Sequence, residues 1–289
     1  IVDEAETNHR GVARARWVMT GFPGRYAATA TAADGLSATT SYSIAARRYK
    51  SMMSSEMVGC VIDFNDRLAC WATRQEGAAP LPVSPVLRYQ LAATPGDIGA
   101  SLCALDNEGF AWCTPEDGQW QTKFTRPLEL TRLEGLPSPL RDISASIPNR
   151  WCGITLDGEL WCWGSGLLGD GPAVTNAPPS RIVVDDSLRF TAIHLSTHLA
   201  CAIDTAGVPL CWGRSMQGSL PGARPGTTQE TPIPVALPVP IRKLRITALS
   251  GICALDIESR LICWGYYQTR ATPRSIEPGE VPTYPPAVP

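Results

Sequence analysis

Lysine is almost absent from this 289-residue chain: three residues, at positions 50, 123 and 243, stand against 22 arginines. Histidine is as scarce, with only His9, His194 and His198. Charged residues reach just 18% and the formal net charge is −2. Phosphate neutralisation needs a clustered positive excess, so the charge balance gives no reason to expect nucleic acid as a partner. Nowhere does an apolar run approach the ~18 residues a membrane-spanning helix requires. Walker and dinucleotide fingerprints are missing, as is a Gly-x-Ser-x-Gly nucleophile elbow, and the sequence asks for no cofactor. His194 and His198 are four apart, a ligand spacing on a helix, but they precede a strand. Four apart on a strand they lie roughly 13 Å from each other, too far to share one metal. What the chain has in excess is glycine (25) and proline (26), which signal many turns and argue against a helical bundle. Arginine in place of lysine, with abundant alanine and proline, reads as the coding bias of a GC-rich bacterium. Hydrophobic residues make up 44%, enough for a core, and the length suggests two structural units.

The ten cysteines carry the main signal. They fall at 60 and 70, 103 and 113, 152 and 162, 201 and 211, 253 and 263, always with nine residues between partners. Successive pairs are 43, 49, 49 and 52 residues apart, a period characteristic of propellers and solenoids. Each pair brackets two short runs of β-forming residues around a polar centre, as in Cys103-Ala-Leu-Asp-Asn-Glu-Gly-Phe-Ala-Trp-Cys113. This is a hairpin pattern, and a three-residue loop ending in a left-handed residue fits the spacing. The left-handed position is Gly109, Gly158 and Gly207 in three repeats, where a missing Cβ is an advantage, and Asp66 and Ser259 in the others.

Counting outward from that loop sets Asp106 opposite Phe110, Leu105 opposite Ala111, Ala104 opposite Trp112 and Cys103 opposite Cys113. If the loop-closing pair is hydrogen-bonded, the cysteines occupy a non-hydrogen-bonded pair, where Cα atoms approach closely enough for a disulfide. The register therefore predicts Cys60–Cys70, Cys103–Cys113, Cys152–Cys162, Cys201–Cys211 and Cys253–Cys263. Zinc ligation is the first alternative, but it uses shorter ligand spacings and four ligands per site. Ten buried thiols in a reducing compartment are the second. Five disulfides would imply an oxidising compartment, periplasmic or extracellular.

Residues 194–222 extend the pattern into Cys201-Ala-Ile-Asp…Cys211-Trp-Gly, with Gly218-Ser-Leu-Pro221 beyond it. Trp163-Gly164, Trp212-Gly213 and Trp264-Gly265 all follow their cysteines, and Gly166-Leu-Leu-Gly169 recurs downstream. Over residues ~47–289 this resembles the bacterial, cysteine-paired branch of the RCC1-like repeat family. Departures are Trp71-Ala72, Cys113-Thr114 and Tyr266-Tyr267. The resemblance implies an all-β propeller of about five four-stranded blades over 47–271. In the third repeat the strands are expected near Leu140–Ser146, Arg150–Leu156, Glu159–Gly164 and Arg181–Val184, and in the fourth repeat the last strand near Pro234–Leu237. A compact ring is expected, with an added degenerate blade or an open arc as alternatives.

The first 46 residues lack cysteine and read as three strands, within Gly11–Trp17, from Gly24 and over Ala38–Ala46. They look like the C-terminal part of a bacterial Ig-like domain. No initiator Met or signal peptide is present, which fits a processed or trimmed start. Residues 272–289 contain six prolines and read as an extended strap. Asp157, Asp204 and Asp256 sit at hairpin turns, where Asp bonds backbone amides, and Asp185-Asp186 reads as a solvated turn. Trp120, within Pro115–Thr125, and Tyr266-Tyr267 lie outside the repeat core and are candidate partner-binding residues, because aromatics anchor interfaces. Arg242-Lys243-Arg245 is a small basic cluster on a strand that alternation partly exposes.

No catalytic set emerges. The expectation is a non-catalytic protein–protein interaction module or scaffold of the bacterial envelope, in the form of a membrane-extrinsic accessory subunit that docks on and stabilises a larger membrane complex. The alternative is a secreted carbohydrate-binding or glycan-hydrolysing propeller, which would need two carboxylates facing each other across the channel. Disulfides, acidic balance and the missing nuclear signal disfavour a nucleotide-exchange role like that of the eukaryotic nuclear family members.

Overall fold

A computed structural model describes residues 24–31, 37–44, 49–54, 58–72, 81–84, 87–94, 102–114, 129–147, 149–215, 219–220, 223–224, 226–247, 251–268 and 273–276. The chain divides into two compact units, Ile1–Arg48 and Tyr49–Pro289. In the first, β1 (Gly24–Thr31) and β2 (Ser37–Ile44) pair as an antiparallel hairpin from Gly24↔Ile44 to Thr31↔Ser37. The strand expected within Gly11–Trp17 lies outside the described residues.

The second unit is an all-β, five-bladed propeller whose blades are four-stranded antiparallel meanders. The first blade comprises β3 (Tyr49–Ser54), β4 (Val58–Asp63), β5 (Leu68–Ala72) and β6 (Leu81–Pro82). The second has β7 (Tyr89–Ala93), β8 (Cys103–Asp106), β9 (Ala111–Cys113) and β10 (Thr131–Arg132). The third has β11 (Leu140–Ser146), β12 (Arg150–Thr155), β13 (Leu160–Gly166) and β14 (Val174–Arg181). The fourth has β15 (Phe190–Leu195), β16 (Leu199–Asp204), β17 (Pro209–Arg214) and β18 (Thr228–Pro234). The fifth has β19 (Ile241–Ile246), β20 (Gly251–Asp256), β21 (Leu261–Gln268) and β22 (Pro273–Ile276).

The central hairpin of each blade follows the register read from sequence, including Cys103↔Cys113, Ala104↔Trp112 and Leu105↔Ala111. Loop-closing pairs are hydrogen-bonded, as where the Asp106 amide donates to the Phe110 carbonyl at 3.0 Å. All five left-handed positions have positive φ, between 63° at Asp66 and 90° at Gly109. Five disulfides join the expected partners, with Cα atoms 4.0–4.1 Å apart. In four blades the Asp that opens the loop caps it, as where Asp256 Oδ1 accepts from the Glu258 and Arg260 amides at 2.9 and 2.8 Å. In the third blade Thr155 takes that place, its Oγ1 accepting from the Glu159 amide at 2.8 Å, while Asp157 accepts from the Ser138 hydroxyl.

The outermost strands depart from expectation. The fourth strand of the third blade is Val174–Arg181 rather than Arg181–Val184, and that of the fourth blade is Thr228–Pro234 rather than Pro234–Leu237. Both run through prolines that look like breakers in sequence. An outer strand needs ladder donors on one side only, so proline is tolerated there and blunts the open edge. For the same reason the tail read as a strap supplies Pro273–Ile276 as the fifth blade's last strand.

Successive blades are joined by a contact that repeats four times. The first residue of each inner strand donates its amide to the carbonyl of the preceding blade's left-handed residue: Tyr89 to Asp66, Leu140 to Gly109, Phe190 to Gly158 and Ile241 to Gly207, at 2.7–2.9 Å. Three residues on, Ala92, Ile143, Ile193 and Leu244 bury themselves in the core formed with the preceding blade. The buried Arg150 adds a staple between the third and fourth blades, its guanidinium donating to Ser146 Oγ and to the carbonyls of Leu167, Ser196 and Leu199. Among the described residues the contact is not repeated between the fifth blade and the first. Tyr49 and Met52, at the positions of Leu140 and Ile143, are 38% and 74% exposed, and Leu261 is 47% exposed where Leu160 is 1%.

Candidate functional site: the channel between the inner strands

The inner strands β3, β7, β11, β15 and β19 line one cavity of about 650 Å³. Each carries the same bulge one residue in, at Lys50, Gln90, Arg141, Thr191 and Arg242, marked by a register shift against its neighbour. The bulged side chain turns back onto its own hairpin, as where Arg141 Nε donates to the Thr155 carbonyl at 3.1 Å and Arg242 Nε to the Asp256 carbonyl at 3.2 Å. Beyond the bulge, alternate residues point toward the following blade.

In the third and fourth blades three of these residues satisfy edge amides that the sheet leaves unpaired. Asp142 Oδ2 accepts from the Ile193 amide at 2.9 Å, and Ser144 Oγ from the Leu195 amide at 3.0 Å. His194 Nδ1 accepts from the Ile246 amide at 3.3 Å, which places the imidazole proton on Nε2. Burial raises the Asp142 carboxyl to about 6, against the pull of the Ile193 and Ile143 amides and of Arg245. Burial, with Arg245 adding to it, pushes His194 down to about 4, so the ring is neutral near pH 7. Lys243 and Arg245 occupy the register positions of Asp142 and Ser144 in the fifth blade and are exposed on the channel. Asp142 is the one carboxylate among the described lining residues, so these side chains do not assemble a facing acid–base pair.

A smaller cleft of about 360 Å³ lies between the second and third blades, beside Trp151 and Trp163. The two indoles stack on each other, centroids 6.2 Å apart, and both are buried, so neither offers a free face to a sugar. Of the residues singled out in sequence, Trp120 lies outside the described residues. Tyr266 and Tyr267, on β21, pair with Ser275 and Arg274 of β22, and their side chains lie outside the description. Asp185 caps its own turn, accepting from the Ser187 amide and hydroxyl. Sequence reasoning passed over Asp142, Ser144 and Arg150. Their partners stand 46–51 residues away, so only the junction between blades reveals them.

The class that this architecture defines is the RCC1-like propeller fold. Solved structures similar to the chain include human WBSCR16, at 15% identity and a TM-score of 0.57, over 72% of this chain and 58% of that one. Yeast RCC1 (Prp20), crystallised with Kap60, is similar at 17% identity and a TM-score of 0.56, over 75% and 56% of the two chains. Prp20p of Saccharomyces cerevisiae, described together with its binding to Gsp1p and histones, gives 18% identity and a TM-score of 0.56, over 75% and 58%. This chain thus spans a little over half the length of these structures, and the likeness is one of fold. No protein-family model and no curated protein sequence matches it.

Proposed function

We propose that the chain is a non-catalytic protein–protein interaction module of the bacterial envelope, a membrane-extrinsic accessory subunit that docks on and stabilises a larger membrane complex. The observation that carries this reading is a propeller with a disulfide in every blade and a channel in which Asp142, Ser144 and His194 are committed to backbone amides. Disulfides persist in oxidising compartments, which supports the periplasm or the cell exterior. The yeast propeller crystallised with Kap60 supplies a precedent of fold for binding proteins. Trp120, Tyr266 and Tyr267 are assigned as anchors for the partner, since large aromatics supply contact area at low entropic cost. A glycan-binding or glycan-hydrolysing propeller fits less well, because it would draw on an exposed indole face or a second channel carboxylate. Mild-detergent extraction of the native envelope, pull-down and mass spectrometry test the proposal. Reproducible recovery of a membrane complex, weakened by alanine at Trp120 or at the tyrosine pair, is expected. Recovery of this chain alone contradicts it.

A further inference from the structure

The junction between the fifth and first blades differs from the other four in chemistry as well as in packing. In the third and fourth blades the inner strand supplies a side-chain acceptor to the next one, Asp142 and Ser144 to Ile193 and Leu195 and His194 to Ile246, whereas Leu91 and Ala93 at the same positions of the second blade supply none. The preceding strand here is β19, and its matching side chains are Lys243 and Arg245, which can only donate. The strand they would serve is β3, whose Met52 and Ser54 amides correspond in register to those of Ile193 and Leu195. Both strands line the same channel cavity. Among the five inner strands only β19 carries cations at these positions, so two exposed positive charges share the cavity with β3, and a carboxylate from elsewhere complements them. Beside it, Tyr49, Met52 and Leu261 are exposed where their counterparts are buried. Among the described residues no amide bond from Tyr49 reaches Ser259, the link the other junctions make.

We propose that the open junction is the partner-docking site, and that it takes an acidic segment of another protein presenting apolar side chains next to carboxylates. The carboxylate lies against Lys243 and Arg245 and accepts from the β3 edge, while the apolar side chain covers Met52 and Leu261. Charge complementarity selects this occupant over a basic or neutral one. The inference rests on the interaction-module reading and names its surface and the chemistry of its partner.

Fluorescence anisotropy on the full oxidised chain tests it, with two labelled twelve-residue probes, one alternating leucine and glutamate and the other leucine and lysine. The acidic probe binds wild type, at least tenfold more weakly to the Lys243→Glu/Arg245→Glu variant and to Met52→Asp/Leu261→Asp. The basic probe gains affinity for the charge-reversed variant. Failure of the acidic probe to bind, or equal binding to all variants, overturns the proposal. A doubling of mass in solution that Met52→Asp abolishes, with no probe binding, overturns it in favour of self-association. Envelope pull-down with the same variants separates the two readings. A complex captured equally by wild type and both variants leaves the interaction module standing and removes the junction as its site.

Discussion

Asp142 and His194 are linked to folding with opposite signs. The Asp142 carboxyl is raised from 3.8 to about 6, so the stability tied to its protonated form is complete below pH 4 and is lost as pH rises through 6. His194 is lowered from 6.5 to about 4, so its contribution is complete above 6.5 and is lost as pH falls through 4. Over pH 4–6.5 the two oppose each other, each by about 3 kcal/mol. Urea midpoints of wild type should therefore change little across that window. His194→Gln should leave stability falling as pH rises, and Asp142→Asn should leave it rising; parallel profiles for all three proteins would refute the assignment. Gly213 makes a steric prediction at the same scale. Its φ is +117°, and a Cβ would stand 2.2 Å from the His198 carbonyl oxygen. Gly213→Ala should cost about 2–3 kcal/mol in a denaturant melt. This explains the glycine after Trp163, Trp212 and Trp264 as a close-approach requirement of the strand, and an unchanged midpoint would remove that explanation.

Hairpins were the legible elements. Each has cysteines at equal distance from a loop whose last residue is left-handed, so one count from Gly109 or Gly158 sets every cross-strand pair. The outer strands were not legible, because Pro178-Pro179 and Pro234 mark a chain break unless the strand is known to be an edge. The inner-strand bulge was hidden for another reason. Lys50, Gln90, Arg141, Thr191 and Arg242 share a position but no chemistry. For the disulfides, a bridge closing so short a loop contributes about 2–3 kcal/mol. Replacing Cys201 and Cys211 together by alanine should lower stability by that amount or somewhat more, since both are buried, and leave four disulfides intact by mass. Scrambled bridges among the remaining eight cysteines would show that the hairpin register alone does not direct pairing.

At the scale of the propeller, the second to fifth blades each donate one hydrogen bond and one apolar side chain to the blade before. Among the described residues the four junctions from the first blade to the fifth are sealed that way. What the channel does could not be read along the chain, since Asp142, His194 and Arg245 meet only when neighbouring blades close on one another. The two tyrosines after the last cysteine were visible in sequence, and the structure adds their backbone pairing with β22. The central claim is that repeat, hairpin register and oxidising compartment belong together. It is tested most directly by mapping disulfides in protein purified without reductant from its native source, using proteolysis and mass spectrometry. The account predicts five linked peptide pairs, Cys60–Cys70, Cys103–Cys113, Cys152–Cys162, Cys201–Cys211 and Cys253–Cys263, and no free thiol. A link between different hairpins would contradict the register, and ten free thiols would contradict the compartment as well.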